Sequence, residues 1–171
     1  GGSEVFSGAP TLAAMAAFRA GADLVHLAAP YKTAQAISSI SPDLITIKLE
    51  GEHLNPRNIA AVHPYLEKST AVAIGLGLGL HADTKGAVRE IVKLVEEIKV
   101  PTLLDADGLK AFAEFRHKVA SPMVLTPHAG EYRILTGRES PKELSERASD
   151  VQKTAEELGA VVLLKGHTDV I

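Results

Sequence analysis

The sequence predicts an α/β domain of three layers, α/β/α, around a mostly parallel central sheet. Three observations carry this. Short apolar, β-rich runs alternate with helical patterns along the whole chain. Runs such as Met123-Val124-Leu125 are continuously apolar, as strands covered on two faces are. The 171 residues, 46% of them apolar, suffice for one domain, residues 1–171, with a substantial core.

The elements follow in order. Pro10 to Arg19 is alanine-rich, Pro10 suits a first helical turn, and Gly21 closes the helix. Leu24 to Leu27 reads as a strand, Thr33 to Ile40 as a short helix, and Leu44 to Leu49 as a second strand. Ile59 to Leu66 is a helix and Ala71 to Ile74 a third strand. Asp83 opens a helix with Val88, Ile91, Val92 and Val95 on one face, leading to the strand Thr102-Leu103-Leu104. Met123 to Leu125 is the next strand, and Pro127 ends it. Glu131 falls in the first turn of the following helix. Pro141 to Leu158 reads as a long polar helix and Val161 to Leu164 as the last strand. Such alternation implies parallel strands covered by helices on both faces.

Composition narrows the function. A net charge of −3, no long basic run and 4% aromatic residues argue against a nucleic-acid surface. No apolar run approaches a membrane span. Without cysteine there is neither a disulfide nor a zinc thiolate site, and without a secretory signal the cytoplasm is the expected compartment.

In folds of this kind ligands gather beyond the carboxyl ends of the strands. That rule selects Gly75 to Gly79, Asp105 to Gly108, Thr126 to Glu131 and Lys165 to Asp169. Gly75, Gly77 and Gly79 permit unusual backbone angles and close approach to a ligand, or simply make a flexible turn. Gly77, Gly79 and Ala82 also meet the loose dinucleotide fingerprint G-x-G-x-x-A, with Asp105 as a poor partner acid. Asp105 and Asp107 end a strand as paired carboxylates, suited to holding Mg²⁺ through water, although one of them could cap the next helix. Thr126 to Glu131 enters a helix whose first N–H groups favour an anion or a metal-bound phosphate. His128 either donates to a ligand oxygen or accepts a turn N–H. Lys165 can meet phosphate as a point charge while Gly166 lets backbone N–H groups approach; the alternative is a solvated hairpin between Leu164 and Val170. His26, His53, His63, His81 and His117 take the plain structural reading, and Glu50, Glu52, Glu96 and Glu97 read as solvated surface acids.

Taken in order, these segments resemble the NAD(P)H-hydrate dehydratase family of the ribokinase-like fold. The resemblance rests on Gly1-Gly2-Ser3 with Ser7-Gly8-Ala9-Pro10, Leu12-Ala13-Ala14 with Arg19-Ala20-Gly21-Ala22, and Gly75 to Gly79. It continues through Asp105-Ala106-Asp107-Gly108-Leu109, Leu125 to Glu131 and Leu164-Lys165-Gly166. The resemblance implies a repair enzyme that returns the S hydrates NADHX and NADPHX to NADH and NADPH. It phosphorylates the ring hydroxyl with ADP or ATP in the presence of Mg²⁺, and phosphate elimination restores the dihydronicotinamide. By the same resemblance Ala9, Gly77 and His128 contact the hydrated nucleotide. Lys165, Gly166, His167, Thr168 and Asp169 hold the adenine nucleotide, and Asp107 and Glu131 lie near Mg²⁺ and its phosphates. A vitamin kinase of the same fold, or a noncatalytic dinucleotide-binding domain, is the alternative reading.

The sequence departs from the family where Leu76 and Ala129 replace the usual prolines. Both ends also read as cut. The family's glycine-rich Gly-Thr-Gly-Asp segment, which carries the anion hole and the catalytic aspartate, is expected beyond Ile171, and a strand is expected before Gly1. The expectation is a single, incomplete dehydratase domain, inactive by itself. A homotetramer or larger assembly, with the helix Pro10 to Arg19 packing between subunits, and a fused or separate epimerase complete what the resemblance implies.

Overall fold

The computed structural model describes residues 1–171. Its elements are α1 (Gly8–Arg19), β1 (His26–Pro30), α2 (Tyr31–Ser38), β2 (Ile45–Leu49), α3 (Ile59–Leu66), β3 (Val72–Ile74) and α4 (Ala82–Glu97). They continue with β4 (Thr102–Leu104), α5 (Ala106–Ala113), β5 (Met123–Leu125), α6 (Ala129–Thr136), α7 (Leu144–Leu158) and β6 (Val161–Val162). Every strand pairing is parallel.

The strands hydrogen-bond as two sheets rather than the single sheet expected: β1 with β2, and β3-β4-β5-β6 in chain order. The extreme N-terminus reaches both, with Gly1 N donating to Ala28 O at 3.0 Å and Gly2 N to Leu76 O, in the loop after β3, at 2.8 Å. The cores divide less sharply, since Leu49 of β2 belongs to the larger cluster and Ala28 and Ile47 pack against it. A cluster of 26 residues lies against the four-stranded sheet, including Val88, Val92, Leu104, Phe112, Leu125 and Tyr132. A cluster of six, Ala14, Leu27, Ala29, Ala34, Ile37 and Leu44, lies against the smaller sheet.

Parallel crossovers that advance one strand at a time in the same direction put their helices on one face. The burial of the four-stranded sheet follows suit. Ile74, Leu104, Leu125 and Val162 are buried, whereas Leu103 and Val124 are half-buried and Ala73 and Val161 exposed. The outer face of β3 to β6 is the less fully covered one. A 540 Å³ groove lined by Val72, Leu103, Met123, Val124, Ala155 and Val161 lies there.

Several local outcomes differ from the sequence reading. β1 is shifted towards Pro30, because Ala28 and Ala29, small and weakly β-forming, are drawn into register with Ile47 and Lys48, while Leu24 stays 69% exposed. α7 begins at Leu144 rather than Pro141, and Glu143 is its extended first flanking residue. α5, which the sequence reading names only as a helix that Asp105 or Asp107 could cap, has a start bearing Gly108 and a left-handed Ala106 (φ 50°). Glu96 is not a solvated acid: its side chain accepts from Ala120 N–H and pairs with His117, both at 2.9 Å. No helix is long and apolar enough to cross a membrane.

Candidate functional site

The ends of β3, β4, β5 and β6 bring the four selected segments to one sheet edge. The Gly75 to Gly79 loop needs its glycines. Gly75, Gly77 and Gly79 have φ of +128°, +72° and +75°, a region that L side chains rarely adopt. A Cβ on Gly75 would lie 1.8 Å from the carbonyl oxygen of Asp105, and one on Gly108 would lie 2.7 Å from that of Ile74. The β3 loop and the start of α5 are thus in direct backbone contact. Asp107 clamps them further: its Oδ2 accepts from Gly79 N–H at 2.9 Å and its Oδ1 from Lys110 at 2.9 Å.

Ala9 and Gly77 are also brought close together. Ala9 is exposed at the start of α1, and a Cβ on Gly77 would meet Phe6 Cβ at 2.9 Å and Pro10 Cδ at 3.4 Å. The α1 entry therefore forms one wall beside the glycine loop, with Phe6 half-exposed at its rim.

His128 caps α6. Its Nδ1 accepts from Gly130 N–H at 3.0 Å and Glu131 N–H at 3.2 Å, while Glu131 Oε2 accepts from His128 N–H at 3.0 Å. This reciprocal cap satisfies helix N–H groups that would otherwise lack partners. It also fixes the ring: with the Nδ1 lone pair engaged, a neutral imidazole carries its proton on Nε2. Nε2 lies 3.4 Å from Glu131 Oε1 on a side chain that is 59% exposed, so it can also donate outward. The two roles weighed for His128, helix cap and donor, thus fall to different nitrogens of one ring.

Lys165 joins the segments. Its Nζ donates to Asp105 Oδ1 at 2.6 Å and lies 3.9 Å from Oε2 of Glu131, which is buried. Its backbone N–H donates to Pro127 O at 2.8 Å, and it forms a parallel bridge with His128. Burial alone would push the Asp105 carboxyl up. Hydrogen bonds from Lys165 and Thr126, the lysine charge and the Ala106 N–H outweigh it and hold the group below its ordinary 3.8. Sequence reasoning offered Asp105 as half of a carboxylate pair for Mg²⁺, as a helix cap or as a poor partner acid, and not as a partner of Lys165, which lies sixty positions away.

Gly166, His167, Thr168 and Asp169 form an exposed turn. Leu164 and Val170 close it by exchanging backbone hydrogen bonds of 2.8 and 3.1 Å, and Asp169 Oδ1 accepts from Gly166 N–H at 2.9 Å. The segment is therefore a hairpin, and it stands beside Lys165 at the site edge.

The edge holds three carboxylates, Asp105, Asp107 and Glu131, and two ammonium groups, Lys110 and Lys165, leaving one negative charge. A polyphosphate brought here requires added positive charge. A hard divalent cation among carboxylate oxygens supplies it, so the donor set fits Mg²⁺.

Comparison with known proteins agrees with this architecture. The family model described as NAD(P)H-hydrate dehydratase matches residues 1–171. The chain is 46% identical over 171 residues to the bifunctional NAD(P)H-hydrate repair enzyme Nnr of Pyrobaculum aerophilum, covering all of this chain and 34% of that protein. A ribokinase-like superfamily protein from Enterococcus faecalis superposes with a TM-score of 0.78 at 21% identity, over 99% of this chain and 56% of that one. An ADP/ATP-dependent NAD(P)H-hydrate dehydratase from Bacillus subtilis, co-crystallised with ATP/Mg²⁺, gives a TM-score of 0.70 at 25% identity, over 98% and 56%. The fold is ribokinase-like, and the chain spans about a third of the length of the bifunctional relative.

Proposed function

Because this chain belongs to the NAD(P)H-hydrate dehydratase family, we propose that its protein returns the S forms of NADHX and NADPHX to NADH and NADPH, with ADP or ATP as phosphate donor. The observation that supports this best is the Lys165 ammonium group held between Asp105 and Glu131, beside an outward-facing His128 Nε2. A cation and a ring donor are thereby assembled at one sheet edge, where a phosphoryl group and an alcohol can meet.

In this reading Ala9, Gly77 and His128 face the hydrated dinucleotide. The glycine loop lets its backbone approach, and His128 Nε2 donates to a ligand oxygen. Lys165, with Gly166, His167, Thr168 and Asp169, receives the adenine nucleotide. Asp107 and Glu131 would hold Mg²⁺ indirectly, through water or phosphate, since Asp107 is engaged by Gly79 and Lys110 and Glu131 by His128. The cation, when bound, neutralises phosphate charge. No residue of the chain is assigned as the base that takes the hydroxyl proton. That role goes to the family's Gly-Thr-Gly-Asp segment, and the 171-residue chain is inactive without it. A positioned base contributes about 10²–10⁴-fold.

The same reading includes a cytoplasmic setting, an epimerase fused or separate, and a homotetramer or larger. Leu12 is 72% exposed on α1 and Val5 is 77% exposed just before it, giving that end of the molecule an apolar face for a second subunit.

The test gives the full-length protein purified S-NADHX, Mg²⁺ and either ADP or ATP, and follows dihydronicotinamide absorbance. A nucleotide-dependent rise is expected and identifies the donor. Accumulation of a stable phosphorylated alcohol without that rise would replace the dehydratase by a vitamin-type kinase.

A further inference from the structure

We propose that His53, His81 and Asp83 form a binding site for a first-row divalent transition ion, represented by Zn²⁺, separate from the carboxylates assigned to Mg²⁺. One donor atom from each of the three residues can be chosen so that all lie within 4.8 Å of one another. His53 Nε2 and His81 Nδ1 each lie 3.7 Å from Asp83 Oδ2. Donors bound to one tetrahedral Zn²⁺ at about 2.0–2.1 Å stand about 3.3 Å apart, so small side-chain rotations close the set. Two imidazoles with one carboxylate select Zn²⁺, Co²⁺, Ni²⁺ or Cu²⁺ over Mg²⁺, which prefers oxygen throughout.

The donors come from two distant segments that the fold fastens together next to the cluster. His53 lies in the turn after β2, whereas His81 and Asp83 begin α4. The buried Thr84 hydroxyl donates to Leu54 O at 2.9 Å, joining the residue after Asp83 to the residue after His53. Asn55 Nδ2 donates to the carbonyls of Glu50 at 3.1 Å and His53 at 3.2 Å, which sets the turn itself. Such supporting contacts orient metal ligands. The two imidazole rings lie against each other, with centroids 3.9 Å apart and planes inclined by 31°, which places them side by side next to Asp83. His81 Nδ1 now accepts from Asp83 N–H at 3.2 Å. An ion would take over that lone pair and leave an exposed N–H to water. Side-chain exposures of 30%, 56% and 59% for His53, His81 and Asp83 leave room for entry and for a water as fourth ligand. An occupied site would tie the β2 turn to α4.

Calorimetric titration of the protein with ZnCl₂ in excess Mg²⁺ tests this, with Co²⁺ absorption as a second readout. One equivalent of tightly bound Zn²⁺ is expected, with visible d–d bands for the Co²⁺ form and a higher melting temperature on loading. His53→Gln, at a half-buried position, and Asp83→Asn, at an exposed one, should each weaken binding at least about tenfold, since each removes one of three protein ligands. Their far-UV spectra should match the parent's. Absence of uptake, or uptake unchanged in both variants, would overturn the site and leave an ordinary imidazole–carboxylate cluster.

Discussion

Lys165 Nζ and Asp105 Oδ1 lie 2.6 Å apart across sixty positions of sequence. The pair links the end of β4 to the residues after β6 and passes over β5, so it closes the site edge electrostatically where backbone pairing alone would leave it open. The Asp105 carboxyl is held below 3.8 in the folded chain. Its stabilising effect is therefore complete above the ordinary carboxylate value and is lost as pH falls through the lowered one. Asp105→Asn should cost about 1 kcal/mol at neutral pH, partial exposure of the pair keeping the figure small. Urea melts taken down past the ordinary carboxylate range should show the gap between parent and variant closing. A gap independent of pH would assign the loss to packing.

Gly75 and Gly79 both have positive φ, but only Gly75 is sterically trapped, with Asp105 O 1.8 Å from any added Cβ and nothing near Gly79. Gly75→Ala should destabilise by more than about 3 kcal/mol or prevent folding. Gly79→Ala should cost about 1–2 kcal/mol, the backbone penalty alone. Equal denaturation midpoints for the two variants would contradict the contact between the β3 loop and α5.

The Gly1 amine is partly buried where it donates to Ala28 O, and desolvation lowers its pKa from 8.0 to about 5. Between those values the unfolded chain binds the proton and the folded chain does not, so stability rises with pH across that interval, by up to about 1.4 kcal/mol per unit. A chain that begins at Gly1 should show this slope in melts between pH 5 and 8. The same chain with residues placed ahead of Gly1 has a peptide N–H there and should lose it.

On the proposed function, Lys165→Ala should weaken adenine-nucleotide binding about 10–100-fold, the worth of a charge-assisted hydrogen bond, with a much smaller effect on the hydrate. For His128 the pattern should reverse. His128→Ala also removes the α6 cap, whereas His128→Asn retains a capping side chain and lacks the Nε2 donor. Parallel loss of both ligands in every variant, measured by titration, would indicate general destabilisation.

What could be read in advance follows from how local each feature is. β4, β5 and α3 were legible residue for residue, because Thr102-Leu103-Leu104 and Met123-Val124-Leu125 are short apolar runs between prolines or polar turns, and Ile59 to Leu66 holds its helical pattern despite Pro64. Ala28-Ala29 gave no strand signal, as alanine owes its place in β1 to register with β2. The bounds of α5 were hidden because its first turn carries the close glycine contact and a left-handed alanine, both of which read as loop. At the site, the four segments were legible from position alone, as polar or glycine-rich residues following strands. The Asp105–Lys165 pair was not, since no spacing reports a contact sixty residues long. The double use of His128 became visible only with the backbone direction of α6.

Two separately hydrogen-bonded sheets, with cores of 26 and six residues, imply unequal resistance to opening. The β1-α2-β2 region can loosen at a cost well below that of global unfolding, because few buried side chains leave one another when it does. Amide exchange should accordingly divide the molecule in two, fast from Leu27 to Leu44 and slow from Leu104 to Leu125. The Lys165 edge belongs to the slow part and would keep its geometry through such excursions, while the α1 wall beside Gly77 moves with the fast one. The half of the pocket assigned to adenine nucleotide would then stay preformed, and the half assigned to the hydrate would be the one that breathes.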